Sequence, residues 1–233
     1  MVRAIIFDLD DTLLDFVGAE RLAIAKTLDT LGIPYTDTTL DRYHEINKAC
    51  WGMLERGEIT RDELLTHRFS LLYSEMGADG DPVKTKAIYE GLLAEGHNII
   101  PGAVDLLDSL KDKYTLILAS NGSTAIQESR IAKSGIGRFF SGIFISESIG
   151  FKKPDPDFFD YLFAKMNGIK REETIIVGDS LGSDILGGIN AGITTCLYNP
   201  HGTPTAGSLR PDYEVRELSL LPALLEKINK KDD

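Results

Sequence analysis

Four short groups of polar residues stand out because each lies at or just beyond the end of a predicted strand. They are the acidic pair Asp8 and Asp10, the turn Ser120-Asn121-Gly122, the basic pair Lys152-Lys153, and the acidic pair Asp179 and Asp184. Carboxylates are hard oxygen ligands that suit Mg²⁺, whereas hydroxyl, amide and ammonium groups donate hydrogen bonds to anions. Together these residue types predict a site for a metal ion and an anionic ligand, provided that the fold brings them together.

Each group also has an ordinary structural explanation. The acidic pairs could form a solvated turn or cap a helix, Ser120-Asn121-Gly122 is a common turn sequence, and Lys152-Lys153 is typical of a solvated surface. The four groups nevertheless recur at equivalent strand ends, in one order along the chain. Ligands of open parallel sheets bind beyond those ends, and this recurrence favours a functional site.

The elements that would position these residues follow from the hydrophobic pattern. Ala4–Leu9 is a continuous apolar run, as expected for a strand that is buried on both faces. Further predicted strands are Thr115–Ala119, Ile143–Ile145, Thr174–Val177, Thr194–Tyr198 and a weaker Tyr213–Val215. Helices are expected at roughly 123–134, 156–167, 182–191 and 219–229. This alternation predicts an α/β fold with a parallel sheet that is covered on both faces.

The segment between the first two strands is helical in pattern throughout. Its four predicted helices cover roughly residues 17–31, 38–56, 61–76 and 82–95. Thr60-Arg61-Asp62-Glu63 is a capping box, and Asp81-Pro82 places an N-cap before a first-turn proline. We therefore expect residues 16–96 to form an insert after the first strand, with 1–15 and 97–233 forming the core domain.

The composition is that of an ordinary folded protein. At 233 residues, with 42% hydrophobic and 26% charged, the chain is long enough for one α/β domain with an insert. No apolar stretch approaches the roughly 20 residues of a membrane span, and Asp8 interrupts the apolar start too soon for a signal peptide. Two cysteines, Cys50 and Cys196, suit a reducing compartment rather than a disulfide scaffold. A net charge of −11 disfavours nucleic acid polymers. We expect a cytoplasmic protein with a small-molecule substrate, either a monomer or a homodimer.

The sequence resembles the haloacid dehalogenase superfamily, on its phosphatase side, over nearly its whole length. Asp8-Leu9-Asp10-Asp11-Thr12-Leu13 is similar to the first motif of the family, Ser120-Asn121 to the second, Lys153-Pro154 to the third, and 178–184 to the acidic fourth. The helical insert resembles the small, C1-type cap of this family. The resemblance implies a three-layer α/β/α, Rossmann-like core with a parallel sheet, plus an inserted α-helical cap domain.

The resemblance also implies a Mg²⁺-dependent phosphomonoester hydrolase. Asp8 would attack phosphorus and form an aspartyl-phosphate, while Asp10 would act as general acid and then as general base. The Asp8 carboxylate, the Asp10 backbone carbonyl and Asp179 would bind Mg²⁺. Asp184 would support the metal, directly or through water.

The resemblance to this family further implies that residues of the second and third motifs bind the phosphate. Ser120 and Asn121 would donate hydrogen bonds to the phosphoryl oxygens, and Lys153 would add a fixed positive charge. Lys153 would also hold Asp8 ionised by its proximity. Thr12 follows the acidic turn and is a candidate for orienting Asp10, although a capping role explains it equally well.

A finer resemblance concerns the substrate. The stretch from Trp51 to Phe69 and residues 184–192 look like those of bacterial pyrimidine 5′-nucleotidases, which implies pyrimidine nucleoside monophosphates as substrates. Trp51 and Phe16 are the candidates for substrate selection in the cap. A tryptophan in a helical block more often serves packing than recognition, so both explanations stay open for Trp51.

Four alternative functions remain. Related caps serve phosphoglycolate and sugar phosphates, and a phosphomutase retains both Asp8 and Asp10, so the core motifs do not exclude it. A dehalogenase has no use for an acid two residues after its nucleophile, and a non-catalytic phosphate-binding module needs no acid–base group. Asp10 counts against both of these last two functions.

Overall fold

The protein is described by a computed structural model for residues 1–204 and 209–231. Within these ranges the strands are β1 (Ala4–Phe7), β2 (Thr115–Ser120), β3 (Gly142–Ile145), β4 (Thr174–Gly178), β5 (Thr194–Tyr198) and β6 (Tyr213–Val215). All neighbouring strands pair in parallel, in the order β3-β2-β1-β4-β5-β6. The strand order reverses next to β1, and the crevice at such a switch point is where doubly wound sheets bind ligands.

The helices follow the predicted pattern, with two additions. In chain order they are α1 (Phe16–Leu31), α2 (Asp37–Glu55), α3 (Arg61–Met76), α4 (Pro82–Leu93), α5 (Ala103–Leu110), α6 (Thr124–Ser134), α7 (Ser146–Ile149), α8 (Pro156–Lys165), α9 (Leu186–Ala191) and α10 (Leu221–Lys231). Neither α5 nor the single-turn α7 is predicted from the sequence. The N-cap of α5 is Gly102, which makes no side-chain hydrogen bond and therefore gives no start signal in the sequence.

Capping explains the boundaries within the helical insert. The Thr60 hydroxyl accepts a hydrogen bond from the Glu63 backbone, and the Glu63 carboxylate accepts one from the Thr60 backbone at 2.8 Å. Asp81 caps α4 through the backbone N–H groups of Val83 and Lys84. Both caps confirm the predicted helix starts.

The two faces of the sheet bury separate apolar clusters. Along β1, Ile5 and Phe7 belong to a cluster with side chains of α5 and α10, whereas Ala4 and Ile6 belong to a cluster with side chains of α8. This alternation is the period of two expected for a strand that is buried on both faces. It confirms the three-layer α/β/α arrangement, although β1 ends at Phe7 rather than at the predicted Leu9.

The chain divides into two compact units. One comprises Met1–Asp15 and Ile99–Asp233, and the other comprises Phe16–Asn98. The second unit contains α1 to α4 and is packed around the rings of Tyr43, Phe69 and Tyr89, whose centroids lie 5.4–5.6 Å apart. In the described ranges, no helix combines the length and apolar character that crossing a membrane requires.

Candidate active site

The parallel sheet places the predicted acidic residues at one edge. Asp8 directly follows β1, and its backbone N–H donates to the Val177 carbonyl at 2.9 Å, which extends the pairing of β1 with β4 by one residue. Asp179 directly follows β4, and Ser120 is the last residue of β2. Carboxyl ends of neighbouring parallel strands meet at the same edge, so these side chains are brought close together.

Lys153 lies between α7 and α8 and connects two of these acidic residues. Its Nζ donates to Asp8 Oδ1 at 2.6 Å, to Asp184 Oδ1 at 2.6 Å and to the Ala119 carbonyl at 2.8 Å. The side chain is fully buried, and an ammonium group has three donors, so every one of them is used. Burial lowers the Lys153 pKa, but the carboxylates of Asp184 and Asp8 outweigh it and raise the pKa above its usual value.

Three carboxylates converge on a single point beside this lysine. One oxygen from each of Asp8, Asp179 and Asp184 lies within 4.8 Å of the others. The Ser180 backbone N–H donates to Asp184 Oδ2 at 3.1 Å and orients that side chain. The close approach requires glycine at position 178, because a Cβ there would lie 2.2 Å from Asp184 Oδ2. The arrangement concentrates three acidic groups around one ammonium group.

The electrostatics of this cluster fit a divalent cation. Burial raises the pKa of Asp8 to about 8, against the lowering effect of Lys153, and Asp184 and Asp10 raise it further. Lys153 therefore lowers the pKa of Asp8, as expected, but this effect is smaller than the increase caused by burial. The pKa of Asp179 is also well raised, by loss of water around the carboxyl and by the charges of Asp8 and Asp184, although the residue is exposed. An all-oxygen site with excess negative charge matches the preference of Mg²⁺.

Asn121 and Ser120 are engaged in different ways. Asn121 Nδ2 donates to the Lys153 carbonyl at 2.8 Å, and Asn121 Oδ1 accepts from the Lys153 backbone N–H at 2.9 Å, so this amide fixes the lysine loop to the end of β2. Ser120 Oγ accepts from the Gly122 N–H at 3.2 Å and from Gln127 Nε2 at 2.8 Å. A hydroxyl that already accepts two hydrogen bonds offers its own hydrogen to a further acceptor. Donation to phosphoryl oxygens stays a prediction for both residues.

The surroundings of Asp10 differ from those expected. Its carboxylate accepts hydrogen bonds from Gln127 and Arg130 of α6, two residues that the sequence motifs did not single out. The buried hydroxyl of Thr12, the candidate for orienting Asp10, has no hydrogen-bond partner in the part of the chain that the structure describes. The acid–base candidate is therefore oriented from the helix that follows the second motif.

The two substrate-selection candidates lie in the helical unit. Phe16 is the first residue of α1, and Trp51 is in the C-terminal half of α2; both are half-buried. The Arg61 guanidinium lies 5.6 Å from the centre of the Trp51 ring, so this ring already contacts a cation. Their roles in selection stay predictions.

Comparison with known proteins identifies the family. A family model for haloacid dehalogenase-like hydrolases matches residues 2–192. The chain belongs to this family. The match includes every motif residue placed at the sheet edge above, so the cluster around Lys153 is the candidate active site of a haloacid dehalogenase-like hydrolase.

Three relatives within the family are similar over almost their full length. Pyrimidine 5′-nucleotidase PynA of Streptococcus pneumoniae is 41% identical over 226 residues, 97% of this chain and 95% of that protein. The HAD-hydrolase YfnB of Bacillus subtilis is 40% identical over 223 residues, 96% of this chain and 95% of that protein. Pyrimidine 5′-nucleotidase YjjG of Escherichia coli is 31% identical over 226 residues, 96% of this chain and 97% of that protein. A crystal structure of YfnB bound to magnesium matches 96% of this chain and 98% of that chain, with a TM-score of 0.92.

Proposed function

We propose that this hydrolase cleaves phosphate monoesters through an aspartyl-phosphate on Asp8. The observation that carries the proposal is that Asp8 accepts a hydrogen bond from Lys153 at 2.6 Å and has an oxygen within 4.8 Å of carboxylate oxygens of Asp179 and Asp184. A doubly negative phosphate monoester approaches a carboxylate only where positive charge offsets the repulsion. Lys153 supplies part of that charge, and the oxygen cluster suits a divalent cation that supplies the rest.

The metal proposed for this site is Mg²⁺. The Asp8 carboxylate, the Asp10 backbone carbonyl and Asp179 would hold it, with Asp184 in support because both Asp184 oxygens already accept hydrogen bonds. A bound Mg²⁺ supplies positive charge that stabilises the phosphoryl oxygens. The crystal structure of YfnB with magnesium supports this assignment.

The protein residues then carry out two displacements. In the first, an Asp8 oxygen forms a bond to phosphorus, the bond from phosphorus to the ester oxygen breaks, and Asp10 gives its proton to the departing oxygen. In the second, water attacks phosphorus, Asp10 takes the proton of the water, and the bond from Asp8 to phosphorus breaks. The Ser120 hydroxyl donates to a phosphoryl oxygen during both steps, and Lys153, whose three donors are already engaged, stabilises the phosphoryl group by its positive charge. Asp8 and Asp10 return to their starting states, and inorganic phosphate leaves.

Mg²⁺ binding should be measurable without turnover. At a Mg²⁺ concentration of 100 times Kd, binding adds about 2.7 kcal/mol to the free energy of unfolding, which raises the melting temperature by roughly 5–10 °C. Asp179→Asn should reduce this shift, whereas Asp112→Asn, at an exposed position beyond α5, should retain it. Phosphate release should stop with a chelator and return with added Mg²⁺. Full turnover by metal-free protein would contradict the metal assignment.

The substrates proposed are pyrimidine nucleoside 5′-monophosphates, because PynA and YjjG are both named pyrimidine 5′-nucleotidases. A phosphate-release panel should include pyrimidine and purine nucleotides, phosphoglycolate, a hexose phosphate and a sugar bisphosphate. We expect the pyrimidine nucleotides to lead in kcat/KM by at least about tenfold, or about 1.4 kcal/mol of transition-state binding. Trp51→Leu should reduce this lead if the ring packs on the base.

The other outcomes of the panel distinguish the alternatives. A lead of phosphoglycolate or hexose phosphate would overturn the nucleotidase assignment and leave the phosphatase chemistry in place. Transfer of phosphate between positions of a sugar, rather than its release, would show a phosphomutase.

A further inference from the structure

The side chain of Asp10 is held by two buried residues of α6. Gln127 Nε2 donates to Asp10 Oδ2 at 2.6 Å, and Arg130 Nη1 donates to Asp10 Oδ1. Gln127 and Arg130 are only 1% and 0% exposed, whereas the Asp10 side chain keeps 27% of its surface exposed. Both carboxylate oxygens are therefore held by α6, while the residue stays partly open to solvent.

Because Arg130 is buried, its ion pair with Asp10 is important for the orientation of the Asp10 carboxylate. Burying a guanidinium group is unfavourable unless it is paired and hydrogen-bonded. Arg130 forms an ion pair with Asp10, and its Nη1 also donates to Gln127 Oε1 at 3.0 Å, so Asp10 is a charged partner of this buried cation. Residues three apart lie on the same face of a helix, so Gln127 and Arg130 reach Asp10 together.

The same glutamine also reaches the phosphate-binding candidate Ser120. Because Gln127 Oε1 faces Arg130, the Gln127 NH₂ group is turned toward Asp10 and Ser120, and it donates to Ser120 Oγ at 2.8 Å. Gly122 leaves the space for this amide, since a Cβ there would lie 2.3 Å from Gln127 Nε2. One amide therefore sets the relative orientation of the acid–base candidate and the phosphate-binding hydroxyl.

We infer that Gln127 and Arg130 are positioning residues that hold the Asp10 carboxylate in the orientation required for proton transfer. The inference rests on the acid–base role proposed above for Asp10. Neither residue touches the reacting atoms; both act through Asp10, and Gln127 also acts through Ser120. A displacement of about 1 Å at a reacting group can cost about a hundredfold in rate, so loss of these contacts affects turnover even though the substrate still binds.

The first test compares Arg130→Met and Gln127→Leu with the unmodified protein on a nucleotide substrate. We expect kcat to fall by about 10- to 100-fold in each, with KM changed by less than about threefold. Arg130→Lys should recover part of the loss, because it restores a cation beside Asp10. Lys133→Met removes a cation from the exposed face of the same helix and should leave kcat unchanged.

The second test repeats both substitutions in the Asp10→Asn background. If Arg130 acts through Asp10, Arg130→Met should lower kcat there by no more than about twofold, since residues that act as a unit give non-additive losses. Gln127→Leu should lower kcat there by clearly less than in the unmodified protein, with the remaining loss due to its contact with Ser120. Equal losses in both backgrounds would overturn the inference and assign the two residues a structural role. Unchanged kcat in both single variants would overturn it as well.

Two further outcomes keep this inference separate from the proposed function. If Asp10→Asn itself retained full activity, the acid–base role of Asp10 would be wrong, whatever the α6 variants show. If Arg130→Met did not fold, as judged by circular dichroism, the Gln127→Leu pair of measurements would decide the question alone. Gln127→Leu does not change the charge of the protein, and it leaves the contact between Arg130 and Asp10 in place.

Discussion

Replacing Asp8 with asparagine is expected to lower kcat by more than a factor of about 100, with the fold retained. The substitution keeps the size of the side chain but removes the carboxylate that forms the bond to phosphorus. Lys153 keeps two of its three acceptors, Asp184 Oδ1 and the Ala119 carbonyl, so no buried charge is left unpaired. Burial raises the pKa of Asp8, because it disfavours the ionised carboxylate, and a neutral side chain at this position does not carry that cost.

The measurement is phosphate release from a nitrophenyl ester and from a nucleotide, with circular dichroism to verify the fold. Asp112→Asn makes the same chemical change at an exposed position outside the site and should retain the full rate. A residual rate above about 1%, which corresponds to a barrier change below about 2.7 kcal/mol, would mean that Asp8 is not the nucleophile. Covalent phosphate on the protein should also disappear in this variant.

Much of the core could be predicted because parallel strands bury both faces. The predicted run Thr194–Tyr198 is β5 as observed, and Thr174–Val177 differs from β4 by one residue. The segment predicted to be helical at roughly 182–191 is helical, but Leu181–Ile185 form a wider π-helical turn before α9. This turn includes Asp184, whose carboxylate accepts the Ser180 N–H and the Lys153 ammonium. The contact between Asp184 and Lys153 joins residues that are far apart in sequence. The hydrophobic periodicity of a single segment gives no information about such a contact.

The sequence predicted those site residues that lie at strand ends or in loops, but not those that lie inside a helix. Asp8, Asp179 and Lys153 follow strands or lie in loops, where a polar residue needs an explanation. Gln127 and Arg130 lie inside a helix, where polar side chains usually face solvent, and nothing local shows that they are buried. The one available signal was weak: their spacing of three places two polar residues on one face of the helix that follows the second motif.

Asp10→Asn is expected to separate acid–base catalysis from metal binding. If Asp10 binds Mg²⁺ only through its backbone carbonyl, the substitution should leave Mg²⁺ affinity nearly unchanged, as measured by the Mg²⁺-dependent shift in melting temperature. Catalysis should fall by about 10²–10⁴-fold, the usual contribution of a general acid–base group. Asparagine can still accept a hydrogen bond from Gln127 or Arg130 through its amide oxygen. It leaves the buried Arg130 without its carboxylate partner, so circular dichroism should verify the fold of this variant.

The loss should depend on the leaving group in the first step alone. A nucleoside 5′-oxygen departs as a poor alkoxide unless it is protonated, whereas nitrophenolate leaves readily without a proton. In single-turnover experiments, formation of the aspartyl-phosphate should therefore slow much more with the nucleotide than with the nitrophenyl ester. Hydrolysis of the intermediate should slow equally for both substrates, because the intermediate on Asp8 is the same. Equal defects in the first step, or a collapse of Mg²⁺ affinity, would instead show that Asp10 acts in structure or in metal binding.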